Sequence, residues 1–139
     1  MKKTLTVLLV MVSIVQAKGL NSSMQENMNT LKIEAKKQNL NFKGFDYIRG
    51  EKIFTTKNIG KRGKSISCVT CHTSNLSKNG LNINTNKQIE PLSPLVNSKR
   101  FTKVKDVKKW LRRNFRDVYN RVGTAQEKGD VITYMINKK

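Results

Sequence analysis

Two cysteines, Cys68 and Cys71, and one histidine, His72, are all that the 139 residues contain of those types. Two cysteines cannot build a multi-disulfide scaffold or a four-cysteine zinc site, and one histidine rules out a histidine-rich metal centre. Acidic residues are scarce too: 9 Asp and Glu stand against 28 Lys and Arg, leaving a formal net charge of +19. Aromatic residues make up only 6% of the chain. A chain of this length is one small domain, too short for a multidomain enzyme, and with so few aromatics its own core is modest. A cofactor held inside would add the apolar surface that is missing. Methionine is absent between Met28 and Met135.

Residues 1–17 read as a signal peptide. Lys2 and Lys3 precede an apolar run from Leu5 to Val15, and Val15-Gln16-Ala17 follows the small-residue pattern of a signal-peptidase site. The run is shorter than the roughly 20 apolar residues that span a bilayer, which favours cleavage after Ala17 over an uncleaved membrane anchor. Removing Lys2 and Lys3 leaves 26 basic against 9 acidic side chains, a net charge of +17 on the exported chain. Nothing later is long or apolar enough to span, so a periplasmic location is expected. Export argues against nucleic acid as the partner of this charge.

The rest reads as helical, with a long irregular middle. Met24, Met28, Leu31 and Ile33 recur at near-helical spacing between Ser22 and Lys37, and their polar flanks predict a peripheral amphipathic helix within an N-terminal extension, residues 18–43. A second helix is expected from Asp46 to Thr56, with Ile48, Ile53 and Phe54 apolar and Gly50 offering a place for close approach. Lys57 to Lys64, with Gly60 and Gly63, is loop chemistry. From Thr73 to Arg100 the chain is rich in Asn and Ser and broken by Pro91 and Pro94, with little periodicity. After Thr102 as a candidate N-cap, Val104, Val107, Trp110, Leu111, Asn114, Phe115 and Val118 form one helical stripe with a single polar member, Asn114. Thr124-Ala125-Gln126-Glu127 is a capping box that opens a last helix with Val131, Ile132, Tyr134, Met135 and Ile136 on its apolar side, and Lys138 and Lys139 suit its negative end.

Cys68-Val69-Thr70-Cys71-His72 carries the chemistry. Cys-x-x-Cys-His is the signature of c-type haem attachment: two thiols add to the two vinyl groups while the adjacent imidazole reaches iron from the same side. Both cysteines and the only histidine are used at once. A thioredoxin-like dithiol would want a βαβ pattern around the motif, which the sequence does not show, and a zinc site would lack a fourth ligand unless two chains shared the metal.

Gly50 and Phe54 before the motif and Tyr134 after it resemble the crossed terminal helices of class I cytochromes c. The expected fold is therefore all-α, class I cytochrome c-like helices around one covalent haem, in a domain of residues 44–139. An ordinary electron carrier of that class takes a methionine after the haem motif as the sixth iron ligand. Here only Met135 follows, inside the closing helix, where methionine is more often a packing residue. Lysine is abundant, and no feature singles one out.

A closer resemblance runs over about residues 44–137. Arg49-Gly50 with Phe54, the haem motif, Lys87-x-Ile89-x-Pro91-Leu92-x-Pro94, Arg100-Phe101-Thr102, Lys109-Trp110-x-x-Arg113-Asn114, Arg121 and Glu127-Lys128-x-Asp130 follow one another as in the sphaeroides haem protein type of high-spin monohaem cytochrome c. The resemblance implies that Asn114 binds ferric iron opposite His72. It also implies a diheme cytochrome c and a membrane b-type cytochrome as redox partners. One departure stands out: where the family usually carries two bridged cysteines near the distal side, this chain has Phe115 and Gly123.

The remaining candidates are supporting ones. Lys87, Arg100 and Arg113 are candidates to neutralise haem propionates, and Trp110 is expected to pack in the pocket. Glu127 and Asp130 read as helix-start residues without a catalytic role. The function expected from all this is electron transfer by an exported monohaem c-type cytochrome, not an enzyme. The alternatives are a protein that binds oxygen or nitric oxide, with a distal Asn released on reduction, or an accessory subunit that docks on a larger redox complex.

Overall fold

The computed structural model describes residues 20–138; the signal-peptide reading and Lys139 lie outside them. Among the described residues five helices, α1 (Ser22–Gln38), α2 (Tyr47–Thr55), α3 (Val69–His72), α4 (Val104–Tyr119) and α5 (Ala125–Asn137), are joined by loops. The loops carry two small antiparallel ribbons, β1 (Asn58–Ile59) with β2 (Ser65–Ile66) and β3 (Gly80–Leu81) with β4 (Gln88–Ile89). The expected all-α architecture holds, and the ribbons are additions to it.

α2 and α5 cross, and the crossing organises the molecule. Asp46 starts α2 by accepting a hydrogen bond from the Arg49 N–H at 2.7 Å. Thr124 and Glu127 open α5 as the expected capping box, Thr124 Oγ1 accepting from the Glu127 N–H at 3.1 Å and the Glu127 carboxylate accepting from the Thr124 N–H at 2.8 Å. At the crossing a β-carbon on Gly50 would collide with the Asp130 carbonyl and come within 2.8 Å of Tyr134 Cβ. Only glycine lets the backbones approach so closely. Phe54 then packs on Tyr134 with ring centroids 5.3 Å apart, and both rings are buried. Such aromatic pairs add roughly 0.5–1.5 kcal/mol beyond the area they bury.

Asp130 is not a helix-start residue: it lies in the second turn of α5, whose first-turn acidic residue is Glu127. It is 1% exposed, and its carboxylate accepts the Asp46 N–H at 2.7 Å, Arg49 Nη2 at 3.0 Å and Arg49 Nε at 2.8 Å. A buried charge is tolerated when it is paired and its lone pairs are used, as here. One α5 side chain thereby fixes where α2 begins.

α1 is less peripheral than its polar flanks suggest. Met24, Leu31 and Ala35 are buried with Asn27 between them, and α1 packs along α5. Ile33, expected on the inner face, is 59% exposed because it falls off that stripe. Ile48 on α2 likewise faces out. Thr102 is not the N-cap of α4: that position belongs to Lys103, which makes no side-chain cap bond, while the Thr102 hydroxyl donates to the Lys99 carbonyl at 2.8 Å. The predicted stripe of α4 is otherwise in place, with Leu111, Phe115 and Val118 buried and Trp110 at its rim. The Tyr119 hydroxyl donates to the Ile53 carbonyl at 2.6 Å and ties the end of α4 to α2.

Candidate haem site

The Cys-x-x-Cys-His motif folds as a single helical turn. The Cys68 carbonyl accepts the Cys71 N–H at 3.2 Å and the His72 N–H at 3.0 Å, which sets the two cysteines one turn apart with the histidine beside the second. Thr70 Oγ1 accepts the Ser67 N–H at 2.9 Å and steadies the start of the turn. Thr73, at φ 63°, ends it by turning the chain away. Glycine is required nearby as well: a β-carbon on Gly80 would collide with the Cys71 carbonyl and lie 3.1 Å from His72 Cα, so strand β3 runs hard against the haem-motif turn.

The surroundings are apolar. Phe54, Leu76, Phe101 and Leu111 are buried in one cluster, against which Cys68, Val69, Leu92 and Val107 pack. The His72 ring lies 6.2 Å from that of Phe54, and its Nδ1 is buried without a hydrogen-bond partner among the described residues. Burial, helped by the positive charge of Arg100, pulls the imidazole pKa down to about 4. A neutral imidazole is the form that ligates a metal. Burial pushes the Cys68 thiol up to about 12. That is the reverse of a reactive dithiol, whose pKa is lowered, and suits a sulfur tied up in a thioether. No group of three or more His, Cys, Asp and Glu among the described residues is placed to hold a metal ion, so zinc lacks its ligands. The residues present fit a covalent haem.

The propionate candidates separate in space. Arg100 is half-buried, donates from Nε to the Pro91 carbonyl at 2.8 Å and from Nη2 to the Glu90 carbonyl at 2.7 Å, and is the one of the three whose charge reaches His72. It straps the Glu90–Arg100 loop closed. Lys87 is exposed at the turn of the β3–β4 ribbon. Arg113 is exposed too, its guanidinium over the Trp110 ring at 5.4 Å, with Lys109 at 5.0 Å from the same ring. Trp110 itself is 48% exposed. Asn114 is half-buried on the inner side of α4. Among the described residues the side-chain hydrogen bonds of α4 are those of Lys109 to Asp106 and Tyr119 to Ile53, which leaves the Asn114 amide out.

Three residues of the site were not singled out by sequence. Gly80 lay in a stretch read only as irregular. Ser93, fully buried, donates its N–H to the Leu76 carbonyl at 2.9 Å and fastens the wrapping loop to the segment after the haem motif. Tyr119 carried no motif. Only the Asn79-Gly80 pair offered a signal, as a turn dipeptide.

A crossed pair of helices, a one-turn Cys-x-x-Cys-His motif and an apolar pocket around a neutral histidine define a c-type cytochrome, and the protein carries haem c. The chain belongs to the family described as domain of unknown function DUF1924, whose model matches residues 40–135. It is 36% identical over 90 residues to the cytochrome c-type protein SHP of Cereibacter sphaeroides, covering 65% of this chain and 69% of that protein. It is 35% identical over 89 residues to cytochrome c'' of Methylophilus methylotrophus, covering 64% of this chain and 62% of that relative's length. Among solved structures, oxidised cytochrome c'' of M. methylotrophus superposes with a TM-score of 0.74 at 28% identity, over 84% of this chain and 94% of that one. Oxidised SHP, described as an oxygen-binding cytochrome c, gives 0.72 at 28% identity, over 86% and 99%.

Proposed function

We propose that this protein is an exported monohaem cytochrome c that transfers electrons in the periplasm, with His72 as proximal ligand and Asn114 as distal ligand in the ferric state. Bound haem supplies a one-electron couple between ferric and ferrous iron. Cys68 and Cys71 would hold it, the apolar cluster of Phe54, Leu76, Phe101 and Leu111 would keep water from it, and Arg100, whose charge reaches His72, would offset a propionate. The observation that carries the reading is Asn114: a half-buried amide, free of the hydrogen bonds other α4 side chains make, set in an otherwise apolar stripe. An amide oxygen is a weak neutral donor that suits the harder ferric ion, so Asn114 would hold iron less firmly after reduction.

That loosening supports a second reading, binding of a diatomic gas on the ferrous side, in line with the oxygen binding ascribed to SHP. Optical spectra of both oxidation states, with and without carbon monoxide, test the two together. The reduced protein is expected to be high-spin and to take up carbon monoxide quickly, and Asn114→Ala to change the ferric spectrum while leaving ferrous carbon monoxide affinity nearly unaltered. A low-spin ferrous spectrum indifferent to carbon monoxide would remove Asn114 as ligand and gas binding with it, leaving a plain electron carrier. The expected partners are redox proteins of the diheme cytochrome c or membrane b-type cytochrome class.

A further inference from the structure

We infer that the outer face of α4 is the docking surface for an acidic patch on a second electron-transfer protein; the inference rests on the electron-transfer reading. At 100° per residue, Lys105, Lys108, Lys109, Arg112, Arg113 and Arg116 occupy about 140° of the helix circumference, and no acidic side chain falls within that arc. All except Lys109 are exposed, and the one ion pair made by any of the six among the described residues is Lys109 with Asp106. The ridge does not stop at the end of the helix. The Lys61 N–H donates to the Asp117 carbonyl at 2.9 Å, which seats the β1–β2 turn, with Lys61, Arg62 and Lys64, against the last turn of α4.

The opposite face of the same helix is the wall of the haem site. Leu111 is buried there, and Val107 and Asn114 lie beside it. An α-helix with its side chains is about 10–12 Å across. A partner seated on the ridge is therefore separated from the distal side of the site by one helix. A membrane surface is a poorer fit, because an interfacial helix presents its apolar face to the lipid and that face of α4 is turned into the core. Charges so arranged steer encounter with an oppositely charged protein and fade as salt screens them.

The test compares two variants of the holoprotein with the same change in net charge. One reverses the ridge, Lys105→Glu, Lys108→Glu and Arg112→Glu; the other reverses three exposed lysines of α1, Lys32→Glu, Lys36→Glu and Lys37→Glu. Flavodoxin, a small acidic protein, serves as the probe. One electron passes from its anionic flavin hydroquinone, leaving the neutral semiquinone, to the ferric haem, leaving ferrous. At low ionic strength the ridge variant is expected to react about tenfold or more slowly than wild type and the α1 variant nearly as fast, the difference closing at high salt. A neutral set, Lys105→Gln, Lys108→Gln and Arg112→Gln, gives the same order of effect should reversal unfold α4. Equal slowing in the ridge and α1 variants, or none in the ridge variant, overturns the inference. So does a ridge variant that loses binding to phosphatidylglycerol vesicles but keeps its rate with flavodoxin. Salt-sensitive flavodoxin binding that needs the ridge but passes no electron upholds the docking face and overturns the electron-transfer reading.

Discussion

Phe115 lays its ring against the backbone of Gly123 so closely that a β-carbon at position 123 would stand 2.8 Å from two of the ring carbons. These are the two positions at which the family resemblance calls for bridged cysteines. Here a buried ring, 4% exposed, seated on a glycine brings the end of α4 together with the approach to α5. The contact depends on both partners. Gly123→Ala is expected to cost about 1–3 kcal/mol through overpacking, and Phe115→Ala about 3–5 kcal/mol through the cavity it leaves. Urea titrations of the two variants followed by far-ultraviolet circular dichroism measure both.

With no cysteine left over beside the distal face, the fold has no thiol switch. Dithiothreitol is expected to leave the Tm unchanged, and denatured protein to keep its haem on a gel with a c-type pyridine haemochrome. Haem lost on denaturation would contradict attachment through Cys68 and Cys71.

Asp130 is the buried charge on which the α2–α5 crossing turns. Asp130→Ala removes an acceptor from Arg49 and from the Asp46 N–H, whereas breaking a pair so that the charge left behind stays buried, as in Arg49→Ala, costs about 3–5 kcal/mol. Arg49 is 46% exposed at its side chain, so solvent can take over part of its role, and Asp130→Ala should be the milder of the two single changes. In Arg49→Ala the carboxylate stays buried with one backbone N–H for company. Thermal melts of the two variants give the order.

Acid should weaken the start of α5. The Arg121 guanidinium, bound to Glu127 at 2.6 and 2.7 Å, holds the Glu127 carboxyl below its ordinary value of 4.5 against the opposing effect of burial, with help from the Thr124 N–H. Because the folded pKa is the lower one, this contribution is complete above 4.5 and drains away as pH falls through the folded value. Between about pH 5 and pH 3 the Tm of Glu127→Gln should therefore fall less than that of wild type. A parallel fall would place the acid sensitivity elsewhere.

What could be read from sequence was what is local or chemically unusual. The capping box was legible because Thr124 and Glu127 lie three residues apart, and the haem motif because its five residues carry the whole chemistry. Gly50, Phe54 and Tyr134 were legible as a set through the class I resemblance. Asp130 was not, since its partners Asp46 and Arg49 are more than eighty positions away and nothing local marks the pairing. The inner face of α1 was misjudged because small Ala35 and polar Asn27 line it while bulky Ile33 does not. Thr102 looked like a cap until Phe101, at φ 55°, turned the chain and sent the hydroxyl back to Lys99. Ribbons of two residues per strand are too short for alternation to show.

The two ends of α4 are secured very differently. Lys103 gives the first turn no side-chain cap, whereas the last turn is held by the Tyr119 hydroxyl on Ile53, the Lys61 N–H on Asp117 and the left-handed Asn120 at φ 57°. In heavy water the amides of the first turn should exchange through fraying, while those beyond Leu111 wait for a larger opening. Asn114 belongs to the slow half. Its backbone is then expected to act as a fixed axle, so that, if Asn114 is the ligand proposed above, what distinguishes the two oxidation states on this side of the pocket is the swing of a side chain and not the melting of a helix.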